Sequence, residues 1–460
     1  MSSMLDKNFD LTMVGKNYLS LLYSMEYTDW GKTALVVDDK RLEYGHIYSG
    51  ILSEMDVAFL ETWGEDKGIS PLAGIRSFLT PRTVSFSIDK QVVKLGRSPY
   101  QNYLELLRKF PNLFGIEKVD WSTVGNEQEF NEFYFSFCRR MSQNCFRFRT
   151  LQNMNLQSFL NLCPKTIIDC FLHFKSHLDQ NRKLELIPLH QKTFFYLSRG
   201  FIQKKLSMRG NELELFHLLL SLLSPCFELN EESLSTQLED VFKSRGGICK
   251  TTTIREWLFD QSKPWSLELS SFEGIIHPKR IALMGGQPES MPIGIQSRSK
   301  IFRSVDVQLN STPELEDFFG EDYFAFTESK RIGGQHPFWA MRKTKGHYRI
   351  TLFSLMGKGM KIDFNKEKVI KILKKDISTI LGTEFRPEVI SIEFGREICV
   401  EDNKNDDRLQ SFFGKINIVD TSSPGSEVKL KNVHYFGPLK MGPLGLFSTL
   451  MEIKEGIRVV

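Results

Sequence analysis

The sequence predicts an α/β fold in which one domain is assembled from separated segments and a second, mixed α+β domain is inserted between them. Three observations predict it. Residues 11–38 read as strand, turn, helix and strand, with the turn at Gly15 and an acid, Asp38, closing the second strand. Much later a helix, Arg245-Gly246-Gly247 and a β-prone run repeat the alternation. Near the end an apolar strand, Val433 to Phe436, runs into Gly437, with Gly442, Gly445 and a last helix beyond it.

The first unit has the spacing of a dinucleotide-binding βαβ motif, in which a glycine turns the chain after one strand and an acid after the next grips a ribose hydroxyl. Asp38 lies 23 positions after Gly15 (38 minus 15), against about 20 in the motif. The motif's second glycine lets backbone approach the pyrophosphate, and its third lets helix pack on strand. Asn17 and Ser20 stand there. Serine is small enough for the packing, whereas the Asn17 side chain takes space that phosphate oxygens need. The helix N-terminus offers amide donors and a positive dipole end to an anion, and Lys16 adds a charge. A plain βαβ unit without nucleotide is the competing reading.

Next come a loop, Gly45 to Gly50, and two hairpin strands, Val84 to Ile88 and Gln91 to Leu95. Residues 100–224 are mainly helical. Phe130, Phe133 and Phe137 recur there at helical spacing, which is ordinarily a core stripe and otherwise the wall of a pocket. Cys170, His173 and His177 share a helical face with no fourth ligand nearby, so a packed face is expected rather than a metal. Asn230 caps a helix with early acids, and Arg245-Gly246-Gly247 breaks it. A strand from Ile248 to Ile254 follows, then one near Ser266 to Glu268, then Pro278 to Met284 running into glycines. Residues 287–428 are mostly strands, with one clear helix from Lys366 to Leu381.

Composition excludes several classes. The chain has 460 residues, 41% hydrophobic and 25% charged, which suits a globular protein of about two domains. Sixty basic against 56 acidic residues leave a net charge of +4, too balanced to argue for nucleic acid. No apolar run of about 18 residues spans a membrane, and the N-terminus lacks the features of a signal peptide, so a cytoplasmic location is expected. Seven scattered cysteines without a Cys-x-x-Cys pair argue against a disulfide framework and a zinc knuckle.

Together, the unit with Gly15, Ser20 and Asp38, the helix with Arg245-Gly246-Gly247 and its strand, and the Phe436-Gly437 segment resemble the flavin-dependent amine oxidase and phytoene desaturase superfamily. These segments, with their flanks, cover roughly a third of the chain, and their order is more specific than any single motif. The resemblance implies a discontinuous FAD-binding Rossmann-like domain over residues 8–75, 226–290 and 429–460. A substrate- or partner-binding domain would fill 76–225 and 291–428. It implies FAD as cofactor, a small organic substrate, and hydride or electron removal to the flavin.

By the same resemblance Asp38 would hold the adenosine ribose, and the turn through Gly15, Asn17 and Ser20 would face the pyrophosphate. Ile254 would lie against the adenine, and Gly45 and Gly437 would belong to two further flavin-contacting segments. Leu42 and Tyr44 depart from the Arg-x-Gly-Gly segment, and Pro438 replaces an acid that meets the cofactor. Proline offers neither an amide hydrogen nor a side-chain acceptor. No catalytic residue is assigned: Lys440, near the expected isoalloxazine end, and His46, on the loop after the second strand, are candidates for charge near the ring against the commoner reading of solvated surface groups. The alternative is a flavin-free binding protein similar to the guanine-nucleotide dissociation inhibitors, which keep a degenerate glycine motif.

Overall fold

The computed structural model describes residues 8–39, 51–88, 91–109, 126–148, 168, 172, 223–259, 267–271, 274–284, 293–295, 300–320, 323–327, 335–344, 346–356, 365–394, 398–400, 415–420 and 427–436. The first unit is β1 (Leu11–Val14), α1 (Tyr18–Asp29) and β2 (Ala34–Asp38). It is followed by α2 (Glu54–Lys67), α3 (Glu231–Ser244), β3 (Ile248–Thr251), β4 (Ile281–Met284) and β5 (Glu427–Phe436). The five strands are mutually parallel in the order β3-β2-β1-β4-β5. This is a doubly wound α/β order, and it reverses between β1 and β4.

Burial explains the central strands. All four residues of β1, and Ala34 to Val37 of β2, are buried, as expected for parallel strands covered on both faces. An antiparallel extension, Lys415–Asp420 and then Ile293–Ile295, continues the sheet beyond β5. Those two strands come from the 291–428 stretch expected in the inserted domain.

α1 is buried all round from Tyr18 to Tyr27, the signature of a helix with no solvent face. It lies between β2 and α3. Its buried Glu26 accepts from Trp63 Nε1 and Lys67 Nζ of α2, both at 3.1 Å. Lys67 also meets Asp29 at 3.3 Å, and Arg245 ties Asp29 (2.8 Å) to the Lys67 carbonyl (2.8 Å). One network therefore fixes α1, α2 and the end of α3 together.

The expected strand from Ile248 to Ile254 divides in two. β3 stops at Thr251, opposite Asp38, because β2 has no further residue in register to pair with it. Ile254–Phe259 then begins an antiparallel meander with Leu267–Ser271 and Gly274–Pro278, to which Asn8–Phe9 adds in parallel.

A second large sheet of eight strands includes the expected hairpin Val84–Ile88 and Gln91–Leu95. Its alternating Val305, Val307, Leu309, Ile350 and Leu352 pack against the helices Pro313–Phe319 and Lys366–Leu381. Phe130 and Phe137 are buried in the helix Glu127–Phe148, and Phe130 stacks on Tyr103 at 5.3 Å, so these two members of the stripe are core, while Phe133 is half-buried. Among the described residues no helix is long and apolar enough to cross a membrane.

Candidate functional site

In an open α/β sheet the ligand crevice lies outside the carboxyl ends of the strands, where the strand order reverses. Here that is the turn after β1. Gly15 takes φ +105°, a left-handed conformation that favours glycine, while its amide still donates to the Val37 carbonyl at 2.9 Å. The chain thus turns abruptly without giving up pairing to β2.

Asn17 is the N-cap of α1, in extended conformation. Its Oδ1 accepts from the Ser20 amide and Ser20 Oγ accepts from the Asn17 amide, both at 2.8 Å. Ser20 Oγ also donates to the Asn17 carbonyl at 2.8 Å. Capping satisfies helix-end groups that would otherwise be left unpaired. The residues standing for the second and third glycines are therefore each other's partners. Two amides of the expected phosphate cradle are committed inside the chain.

At the end of β2, Asp38 is partly exposed. Its Oδ2 meets Lys16 Nζ at 3.5 Å and Thr251 Oγ1 at 3.5 Å. Lys16 sits closer to Glu239 of α3, at 2.9 Å, and Glu239 is also held by Lys243 at 2.6 Å. Burial pulls the Lys16 ammonium down, but Glu239 and Asp38 outweigh it and its pKa rises. Burial likewise raises Glu239, while Lys243 and Lys16 bring it below its ordinary value. The Lys16 charge expected to serve an anion is thus shared between two carboxylates.

The next residue, Asp39, is 2% exposed, and its Oδ2 accepts the Ile254 amide at 2.9 Å. Ile254, expected to close the strand that began at Ile248, instead opens the next one, and its amide is taken. Neighbouring Cys249 is no reactive thiol, since burial first, and Glu239 second, push it up to about 12.

Gly15, Asn17, Ser20, Asp38 and Ile254 therefore gather around the carboxyl ends of β1, β2 and β3. Gly45 and Gly437 lie outside the described residues, as do Leu42, Tyr44, His46, Pro438, Lys440, Cys170, His173 and His177. No cluster of three metal-ligating side chains occurs among the described residues. Asp39 and Glu239 went unnoticed in the sequence. The acidic pair Asp38-Asp39 and the Asn17-x-x-Ser20 spacing were the available signals.

FAD can be tested against this donor set. Asp38 fits a ribose, because it is accessible and both contacts to its Oδ2 are long. The pyrophosphate and adenine positions fit only if the amides of Asn17, Ser20 and Ile254 exchange their internal acceptors for the ligand. Away from this cluster, a cavity of about 540 Å³ opens between Ser70, Pro71, Phe78, Asn230 and Gln237. Its lining includes none of Gly15, Asn17, Ser20, Asp38, Asp39 and Ile254.

No protein-family model matches the chain, and no curated protein matches it. Among solved structures it is similar to a Rab GDI from Plasmodium falciparum, with 10% identity, 98% of each chain covered and a TM-score of 0.47. It is also similar to the glycerol-3-phosphate dehydrogenase from Bacillus halodurans complexed with FAD, with 10% identity, 99% of this chain covered and a TM-score of 0.43. A peptidyl tryptophan dihydroxylase essential for tryptophylquinone cofactor biogenesis shares 8% identity over 98% of this chain, at a TM-score of 0.43. The chain spans 66% of the length of each of the last two. At such identities and scores these likenesses carry no assignment of activity.

Proposed function

We propose that the chain is an FAD-dependent oxidoreductase in general kind, with the cofactor's adenosine half at the carboxyl ends of β1, β2 and β3. One observation carries this reading: the Gly15 turn stands where the strand order reverses, and the Asp38 carboxylate ends the strand paired beside it. Asp38 would accept a ribose hydroxyl, and Lys16 would lie beside the phosphates. Bound flavin would supply the capacity to take a hydride or electrons from a small organic substrate. The finer assignment, to the amine oxidase and phytoene desaturase type, follows from the resemblance of the three segments.

The domain division 8–75, 226–290 and 429–460 against 76–225 and 291–428 belongs to the same reading. Residues 293–295 and 415–420, from the stretch expected in the inserted domain, pair into the same sheet as β5.

A specific observation favours a second reading, a flavin-free binding protein on the same scaffold. The capping box and the Asp39 to Ile254 bond commit three amides internally. Absorbance separates the two readings. Visible flavin bands in the purified protein, or after incubation with FAD and removal of excess, support the oxidoreductase. A protein that stays colourless after incubation supports the binding protein.

A further inference from the structure

A nucleotide lying across the reversal point has a direction set by the sheet. Its pyrophosphate belongs at the start of α1, after β1, and its ribose at the acid ending β2. Strands stand about 4.8 Å apart, so the base, one unit further from the phosphates, falls beyond β3. The backbone there is the stretch from Thr251 to Ile254, the turn by which the chain leaves the sheet for the meander.

At that place the chain holds its own acceptor. Asp39 is 2% exposed, follows directly on the ribose acid, and takes the Ile254 amide at 2.9 Å. A peptide N–H is what an adenine ring nitrogen would seek, and a buried carboxylate is a stronger acceptor than a neutral ring nitrogen. At the acid just before it, Lys16 bridges Asp38 and Glu239. At the adenosine end, the Ile254 amide thus already has an acceptor within the chain, and the ribose acid has a cation in long contact.

Resting on the FAD reading above, we infer that Asp39 is an internal competitor of the adenine base, so that an adenine nucleotide binds only by displacing its carboxylate from the Ile254 amide. Apparent affinity is then scaled down to the fraction of molecules in which Asp39 does not hold the Ile254 amide. Removing the competitor opens the site without adding any contact to the ligand.

The test uses the full chain with Asp39→Ala, and with Asp39→Asn, which keeps the size and an oxygen acceptor but not the charge. Hydrogen exchange at the Ile254 amide is followed by NMR, and ADP and FAD are titrated separately. Faster exchange at Ile254 together with about tenfold tighter ADP binding in Asp39→Ala, and a smaller gain in Asp39→Asn, is the expected result. Unchanged exchange, or ADP affinity equal to that of the unaltered protein, overturns the inference. If ADP tightens as expected while FAD binds no variant, the competitor stands and the flavin reading falls. If FAD binds the unaltered protein and both variants equally, the flavin reading stands and the competitor falls. Failure of both ligands on all three proteins removes both.

Discussion

Asn17 and Ser20 cap each other at the start of α1: each side-chain oxygen takes the other's amide at 2.8 Å, and Ser20 is fully buried. At a site whose motif calls for glycines, the chain has installed a helix cap instead. Ser20→Ala breaks one half of the box and leaves the buried Asn17 amide without its acceptor. We expect a loss of about 1 kcal/mol in chemical denaturation. Asn17→Gly should cost only a few tenths, because glycine is itself tolerated at an N-cap. Equal losses from the two variants would contradict this account of the turn.

Gly64 lets α2 touch the segment after it. A methyl group there would lie 2.2 Å from the Ala73 amide nitrogen and 2.6 Å from the Leu72 carbonyl carbon, both backbone atoms that cannot rotate away. Gly64→Ala should therefore destabilise by about 1–3 kcal/mol, although alanine is the better helix former. A melting temperature at or above that of the unaltered protein would show that the two segments separate freely.

The elements with strong periodicity or caps were legible in the sequence. Lys366–Leu381 carries a clean apolar stripe and an Asn365 cap, and it ends where expected. Asn230 likewise announces α3. α2 was missed because its apolar residues are spread around the helix, although Ser53 and Asp56 form its capping box. At the turn after β1, the sequence draws attention to Gly15, Asn17, Ser20 and Asp38 singly, but not to how their side chains pair. Motif spacing suggests a ribose at Asp38 and the family resemblance implies an adenine at Ile254, whereas the bond from the Ile254 amide to Asp39 joins residues 215 apart and depends on where β3 ends.

Glu54 and Arg76 form a half-buried clamp that should make stability fall as pH rises. Glu54 is buried, and Arg76 meets it at 2.5 Å while reaching Glu61 at 2.8 Å. Burial raises the Glu54 pKa more than Arg76 lowers it. A carboxylate whose folded pKa exceeds its unfolded one holds its proton more firmly when folded. Its contribution is complete below the unfolded value and shrinks as pH climbs through the folded one. Glu54→Gln should flatten that part of the stability profile. Arg76→Ala should cost about 3 kcal/mol near neutral pH, the low end for breaking a buried pair, because half of Arg76 faces water. Urea midpoints measured from the carboxylate range to neutrality test both.

The Lys16 and Glu239 pair should show the opposite pH response. Burial raises the Glu239 carboxyl, but Lys243 and Lys16 more than compensate, so its folded pKa lies below the unfolded one. The stabilisation is then present above the ordinary carboxylate value and is lost as pH falls through the lowered one. Both side chains are partly exposed, which limits the coupling to about 0.5–1 kcal/mol. A double-mutant cycle with Lys16→Met and Glu239→Gln isolates it from the Lys243 contact, which remains in the lysine variant. The coupling should be measurable at neutral pH and absent once Glu239 is protonated. A coupling that persists in acid would mean that the pair does not depend on the charge of Glu239.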